Sequence, residues 1–155
     1  MAMRRILGTS ATVLLTLALA GPVAAAQPEV ITWSNPVDRP FLDCGTFEAH
    51  GVWTVRHVLT LFPGADGTPI RDIEQMSFVG SIVNPDTGAS IEDSGKVVYF
   101  DTLAPDGSYL TTYANTVRRS DYFTVAGRQN WQDGSFHGVD RFDVNIPAAC
   151  AALGA

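Results

Sequence analysis

From Phe47 onward the chain alternates apolar and polar positions with a period of two. Phe47, Ala49, Gly51, Trp53, Val55, His57, Leu59 and Leu61 fall on one side. Glu48, His50, Thr54, Arg56 and Thr60 fall on the other, with Val52 and Val58 out of phase. Alternation of this kind predicts a half-buried β-strand. Such a stretch would extend about 50 Å, longer than a usual strand, so it must bend. Gly51 marks the place, and Gly80, Gly95, Gly127 and Gly138 hold similar mid-strand positions further on. Interior glycines of this sort mark bulges or tight coiling.

Clusters of turn-forming residues divide the rest. They are 63–67 (Pro-Gly-Ala-Asp-Gly), 84–88 (Asn-Pro-Asp-Thr-Gly), 105–108 (Pro-Asp-Gly-Ser), Ser120-Asp121 and 132–135 (Gln-Asp-Gly-Ser). Each places Pro, Gly or Asx residues where a chain reversal needs them. Between them lie segments rich in Val, Ile, Thr, Tyr and Phe. These features predict strands near 30–33, 46–61, 70–83, 90–103, 109–119, 122–131 and 136–145, and a helical turn over 148–153. The expected fold is all-β: an antiparallel meander closed or nearly closed into a small barrel of seven to eight strands, with a short C-terminal helical turn. Long hairpins with interior glycines favour a barrel over a flat sandwich, and closure removes exposed edges.

The first twenty-six residues break the pattern. Arg4 and Arg5 precede an apolar run over 6–20, Gly21-Pro22 interrupts it, and Ala24-Ala25-Ala26 supplies small residues for cleavage. That layout predicts a secretory signal peptide over 1–26. An extended segment, 27–45, and a single barrel domain, 46–155, are expected to follow. The expected location is secreted, without a lipid or membrane anchor.

Removing Arg4 and Arg5 leaves eight basic residues against sixteen acidic ones. So acidic a surface disfavours nucleic acid and anionic membranes as partners. Cys44 and Cys150 are the only cysteines. In an exported chain such a pair reads as an intramolecular disulfide, in preference to free thiols or bridges between chains. The bond would bring the start of the first long strand beside the C-terminal tail.

Candidate chemistry is sparse. His50 and His57 point to opposite faces, and the chain has no HxH or HExxH spacing, so neither a metal nor a cofactor is expected. His57 sits on the apolar face between Val55 and Leu59, where a histidine can bind a polar ligand group, act as acid or base, or simply be a hydrogen-bonded core residue. The acidic pairs Asp72/Glu74, Glu92/Asp93 and Asp140/Asp143 read as solvated faces in a chain with sixteen acids. No GxSxG elbow or phosphate loop is present. Aromatic residues recur on nearly every strand, and they either fill the interior or line an apolar pocket.

Two resemblances add to this. Gly51-Val52-Trp53, Ser120-Asp121-Tyr122 and Arg141 resemble, in order, the three signature positions of lipocalins, which implies a tryptophan and an arginine packed at the closed end of a barrel. Ser120 replaces the usual threonine. Over most of its length the chain is similar to small exported bacterial proteins of unknown function, through Cys44, the turn at 66–69 (Asp-Gly-Thr-Pro), the turn at 84–88 and Cys150-Ala151-Ala152-Leu153. That resemblance implies a calycin-like (lipocalin-like or allene-oxide-cyclase-like) barrel and transfers no catalytic residue.

The resulting expectation is non-enzymatic binding of a small apolar or amphipathic molecule in the barrel, with Trp53, His57, Phe78, Tyr99 and Tyr113 as lumen residues. One rival is a cofactor-independent isomerase or cyclase, which requires His57 beside an acid in a water-accessible pocket. The other is an extracellular interaction or inhibitor module, using the loop at 63–69 and the segment 27–43 as its surfaces.

Overall fold

A computed structural model describes residues 27–154; the expected signal peptide lies outside the described residues. Seven antiparallel strands form one sheet in sequence order: β1 (Glu29–Asp43), β2 (Glu48–Pro63), β3 (Pro69–Val83), β4 (Ser90–Leu103), β5 (Tyr109–Ser120), β6 (Thr124–Asn130) and β7 (Phe136–Asp140). A 3-10 turn (Asp143–Asn145) leads into a short helix, α1 (Ile146–Ala152), with Pro147 in its first turn. A proline there costs nothing, because its missing donor would have had no helical partner.

The first strand is far longer than the 30–33 expected from the sequence. It pairs with β2 along its whole length, from Glu29 opposite Leu61 to Asp43 opposite Glu48, with one irregularity between Pro40 and Leu42. Pro36 and Pro40 obscured it. They share parity, and on an edge strand both missing donors can point away from the only partner. The last strand is shorter than expected, ending at Asp140 where 145 was predicted.

Every strand pairs with the next, but β1 and β7 share no ladder among the described residues, so the sheet is open and the expected barrel closure is not seen. It nevertheless bends. Strands β1 and β5 would stand about 19 Å apart in a flat sheet, at about 4.8 Å per step. Yet the Arg118 guanidinium of β5 lies 4.5 Å from the centre of the Phe41 ring on β1.

The concave face so formed carries the core. Leu42, Ala49, Trp53, Val55, Ile82, Phe123, Ala149 and Leu153 form one buried cluster. Alternation on β2 is borne out: Ala49, Trp53 and Val55 are buried while Val52, Thr54 and Arg56 are exposed. Glycines make room for rings lying flat on this face. A methyl group on Gly51 would overlap the Trp53 indole, and one on Gly95 would meet Phe78 Cζ at 2.5 Å and the Val117 carbonyl oxygen at 2.8 Å.

Helix α1 plugs one end of the concave face. The Cys44–Cys150 disulfide, spanning 106 positions, ties it to the end of β1. Asn84, at the β3–β4 turn, ties it a second time: its Nδ2 donates to the Leu153 carbonyl at 3.0 Å. Its Oδ1 meanwhile accepts the Asp86 backbone N–H at 2.9 Å. The expected turn at 84–88 is therefore also the anchor for the tail. At β5–β6 the Ser120 Oγ accepts the Tyr122 and Phe123 backbone N–H groups. That turn drops Phe123 into the plug and delays β6 to Thr124.

Candidate functional site

Above the plug, the concave face holds a cavity of about 340 Å³. Its walls come from β1 through β5, and Cα pairing explains why these residues meet. Trp33 lies opposite His57, Asn35 opposite Val55, and Val37 opposite Trp53. His57 is in turn opposite Met76, and Glu74 is opposite Tyr99. Residues directly paired across a ladder share a face.

The floor is apolar and aromatic. Phe41 meets Trp53 edge-on at 5.0 Å between centroids, and Trp53 meets Phe78 at 6.0 Å. Arg118 sits among these rings, within 6 Å of the centres of Phe41, Trp53, Phe78, Phe123 and Phe142. Its charge is neutralised locally. Nε donates to Asp93 Oδ1 at 2.9 Å and Nη2 to Asp93 Oδ2 at 2.6 Å. Trp53 Nε1 also donates to Asp93 Oδ2, at 2.9 Å. A carboxylate with no exposed side-chain surface is thus satisfied by three donors, as burial of a charge demands.

One wall is polar. His57 Nδ1 lies 2.8 Å from Glu74 Oε1 and Nε2 lies 2.9 Å from Asn35 Oδ1. The imidazole stacks on Trp33, with centroids 4.5 Å apart and planes within 5°. Beyond Glu74 the same face carries Asp72 opposite Asp101. Both are buried, at 5 % and 7 % exposure, and Asp101 Oδ1 has no donor other than the proton that Asp72 can carry. Burial raises the Asp72 carboxyl to about 6, aided by the charge of Asp101, a hydrogen bond with Asp101, and the charge of Glu74. The Tyr99 hydroxyl is raised as well, by burial first and then by Glu74 and Asp101.

Of the five residues proposed from sequence as lumen residues, Trp53, His57, Phe78 and Tyr99 line this one cavity. Tyr113 does not. It pairs with Phe100, one position out of phase with Tyr99, and so faces the other side of the sheet, where the Arg128 guanidinium lies 4.3 Å from its ring centre. Cys44 and Cys150 form the expected disulfide. The arginine beside Trp53 is Arg118, whereas Arg141, the position suggested by the lipocalin resemblance, is exposed and uses its backbone N–H on the Thr124 carbonyl. Of the other two histidines, His50 bonds Asp38 and His137 is exposed.

Sequence reasoning missed Trp33, Asn35, Asp93, Asp101 and Arg118 as parts of this region. The first two lie on the strand hidden by its prolines, though positions 33, 35 and 37 do alternate toward the cavity. Among the described residues, no group of three or more His, Cys, Asp or Glu is placed to hold a metal ion, and no helix is long and apolar enough to cross a membrane. A wider depression of about 640 Å³ involves the opposite face around Val79, Ser81, Glu92 and Arg119. It includes Gly80 and Asp93, and so backs onto the aromatic floor.

Compared with known protein families, curated proteins and solved structures, the chain matches none of them.

Proposed function

We propose that this protein is exported and binds a small apolar or amphipathic molecule non-covalently in the concave cavity. The observation that carries the reading is the cavity's composition. It is about 340 Å³ in volume, with Trp53, Val55, Phe78 and Val97 offering apolar surface and His57 and Tyr99 offering polar groups. Volume and lining fit the lower end of small-molecule sites, which combine an apolar body with a few placed polar groups. The same proposal includes the finer fold reading, a calycin-like barrel with a gap between β1 and β7. Export agrees with the disulfide, since such bonds persist in oxidising compartments.

Binding is tested by native mass spectrometry and by Trp fluorescence during titration with 1-octanol, 1-decanol and decanoate. A one-to-one adduct and a saturable change are expected, because Trp53 lines the cavity while exposed Trp33 and Trp131 do not. Val97→Trp, which fills the cavity, should abolish both signals. Absence of an adduct and of saturable change across the panel overturns the reading.

One observation favours a second reading, a cofactor-independent isomerase or cyclase: His57 borders the cavity with Glu74 behind it. Such a pair can remove a proton from carbon and return it once Nε2 turns from Asn35 Oδ1 toward the ligand. Solvent deuterium should then enter bound 2-decanone in the wild type and not in His57→Ala. Binding without exchange leaves the first reading alone.

A further inference from the structure

We propose that the ligand of this cavity carries a carboxylate, held where Arg39 of β1 and Arg118 of β5 border the aromatic floor. The inference rests on the cavity-binding reading and names the head group that it leaves open.

The charge of the lining points there first. Beyond the first twenty-six residues the chain has sixteen acids against eight basic residues, yet the cavity walls contain two arginines and no carboxylate. The acids Asp72, Glu74, Asp93 and Asp101 share this face of the sheet without belonging to the lining. An acidic protein thus encloses a cavity whose charged groups are both cationic.

The hydrogen bonds of Arg118 point the same way. Asp93 takes the guanidinium from one side, through Nε and Nη2. Nη1 makes no hydrogen bond among the described residues, and it is not sealed from solvent. A guanidinium has five N–H donors, so the side that Asp93 leaves open can still receive an oxygen. Arg39 makes no ion pair among the described residues. It lies opposite Gly51, where the absent side chain leaves room for the Trp53 indole. Phe41, two positions further along β1, packs on the Arg118 guanidinium at 4.5 Å. Two cations therefore border the same part of the floor with one counter-charge, Asp93, which is already taken. Arg39 is exposed, so water screens it, and alone it would ask for no ligand. Arg118 has only 13 % of its side chain exposed, where a bond to an ionised oxygen is stronger.

A carboxylate supplies what is missing, one negative charge and two acceptor oxygens in a plane that suits a guanidinium edge. A hydroxyl would accept from Nη1 without balancing Arg39, and an ammonium would meet two like charges. With the head at the arginines, the alkyl chain lies along Phe78 and over Met76 and Val97, which face each other across β3 and β4.

Affinities of decanoate, 1-decanol and decylamine for the full mature chain, measured by Trp fluorescence near neutral pH, test the proposal. Decanoate should bind about tenfold tighter than 1-decanol, with decylamine weakest. Arg39→Gln, at an exposed position outside the buried cluster, should remove most of that margin and leave 1-decanol binding unchanged. If the variant fails to fold, the wild-type ranking still decides. Equal binding of decanoate and 1-decanol, or a preference for decylamine, overturns the carboxylate and leaves the cavity reading intact. A margin unchanged in Arg39→Gln overturns the placement of the head between the two arginines. No binding by any of the three removes the cavity reading as well.

Discussion

Arg118 grips Asp93 through two hydrogen bonds, 2.9 and 2.6 Å long, in the middle of an aromatic cage. The pair joins β5 to β4, and through Trp53 Nε1 it reaches β2. Phe41 of β1 packs on the guanidinium from across the bend. The bent sheet is thus pinned by one polar node, and the cavity floor rests on it.

Removing one partner of that node should be severe, because the other stays buried. Asp93→Ala leaves the Arg118 charge and the Trp53 N–H without acceptors, and a loss of about 3–5 kcal/mol is expected. Urea unfolding measures it. A loss below about 1 kcal/mol would show that water replaces the carboxylate freely, and that the node does not hold the sheet.

The disulfide closes a loop of 106 positions and fastens the plug. Loop-closure entropy for that length stabilises by up to about 4–5 kcal/mol, reduced by any strain. Reductant, or Cys44→Ser with Cys150→Ser, should lower the melting temperature markedly. Intact mass of freshly purified protein should be two hydrogens below the free-thiol value, and the free-thiol mass would contradict the bond.

How much of this was legible in the sequence depended on whether a signal was local. The strand pattern of Phe47–Leu61 was readable because alternation needs only one strand, and the hairpin at 84–88 because Asn, Pro and Gly act within four residues. The pairing of Cys44 with Cys150 followed from counting. By contrast, β1 was concealed by Pro36 and Pro40, whose cost vanishes only at a sheet edge. Arg118 and Asp93 look like ordinary surface charges in sequence, and their burial is decided by which strands bend over them. Tyr113 fell on the wrong face because its strand's phase is set by pairing with β4, one residue away from the phase assumed. Barrel closure is a property of how the sheet ends meet, and no local pattern fixes it.

Mid-sheet packing gives a test of the close approach at Gly80. A methyl group there would overlap the Val52 carbonyl oxygen and sit 2.8 Å from Trp53 Cα, so backbone has to move. Gly80→Ala should destabilise by about 1–3 kcal/mol or more. Gly45→Ala is a control of different kind: nothing lies within 4 Å, and only the positive φ of +78° opposes it. Its loss should be near 1 kcal/mol. Equal, small losses at both sites, measured by urea midpoints, would mean that β2 and β3 are not packed as described.

The Asp72–Asp101 pair gives stability an unusual slope. Because burial and neighbouring charge raise Asp72 to about 6, the folded state holds its proton more tightly than the unfolded chain, whose value is near 3.8. Its contribution is complete below about pH 3.8 and is lost as pH rises through about 6. Asp106 and Asp133 act in the reverse sense. Hydrogen bonds from Ser108 and Ser135 lower them, so what they add is present above the unfolded value and disappears in acid. The comparison must therefore be made against Asp72→Asn, which removes only the raised group. Between about pH 4 and 7.5 the wild type should lose about 1–2 kcal/mol relative to this variant, discounting the full shift for solvent screening. Urea midpoints at three pH values decide it. A constant difference across the range would show that Asp72 titrates normally and that the two carboxyls do not share a proton.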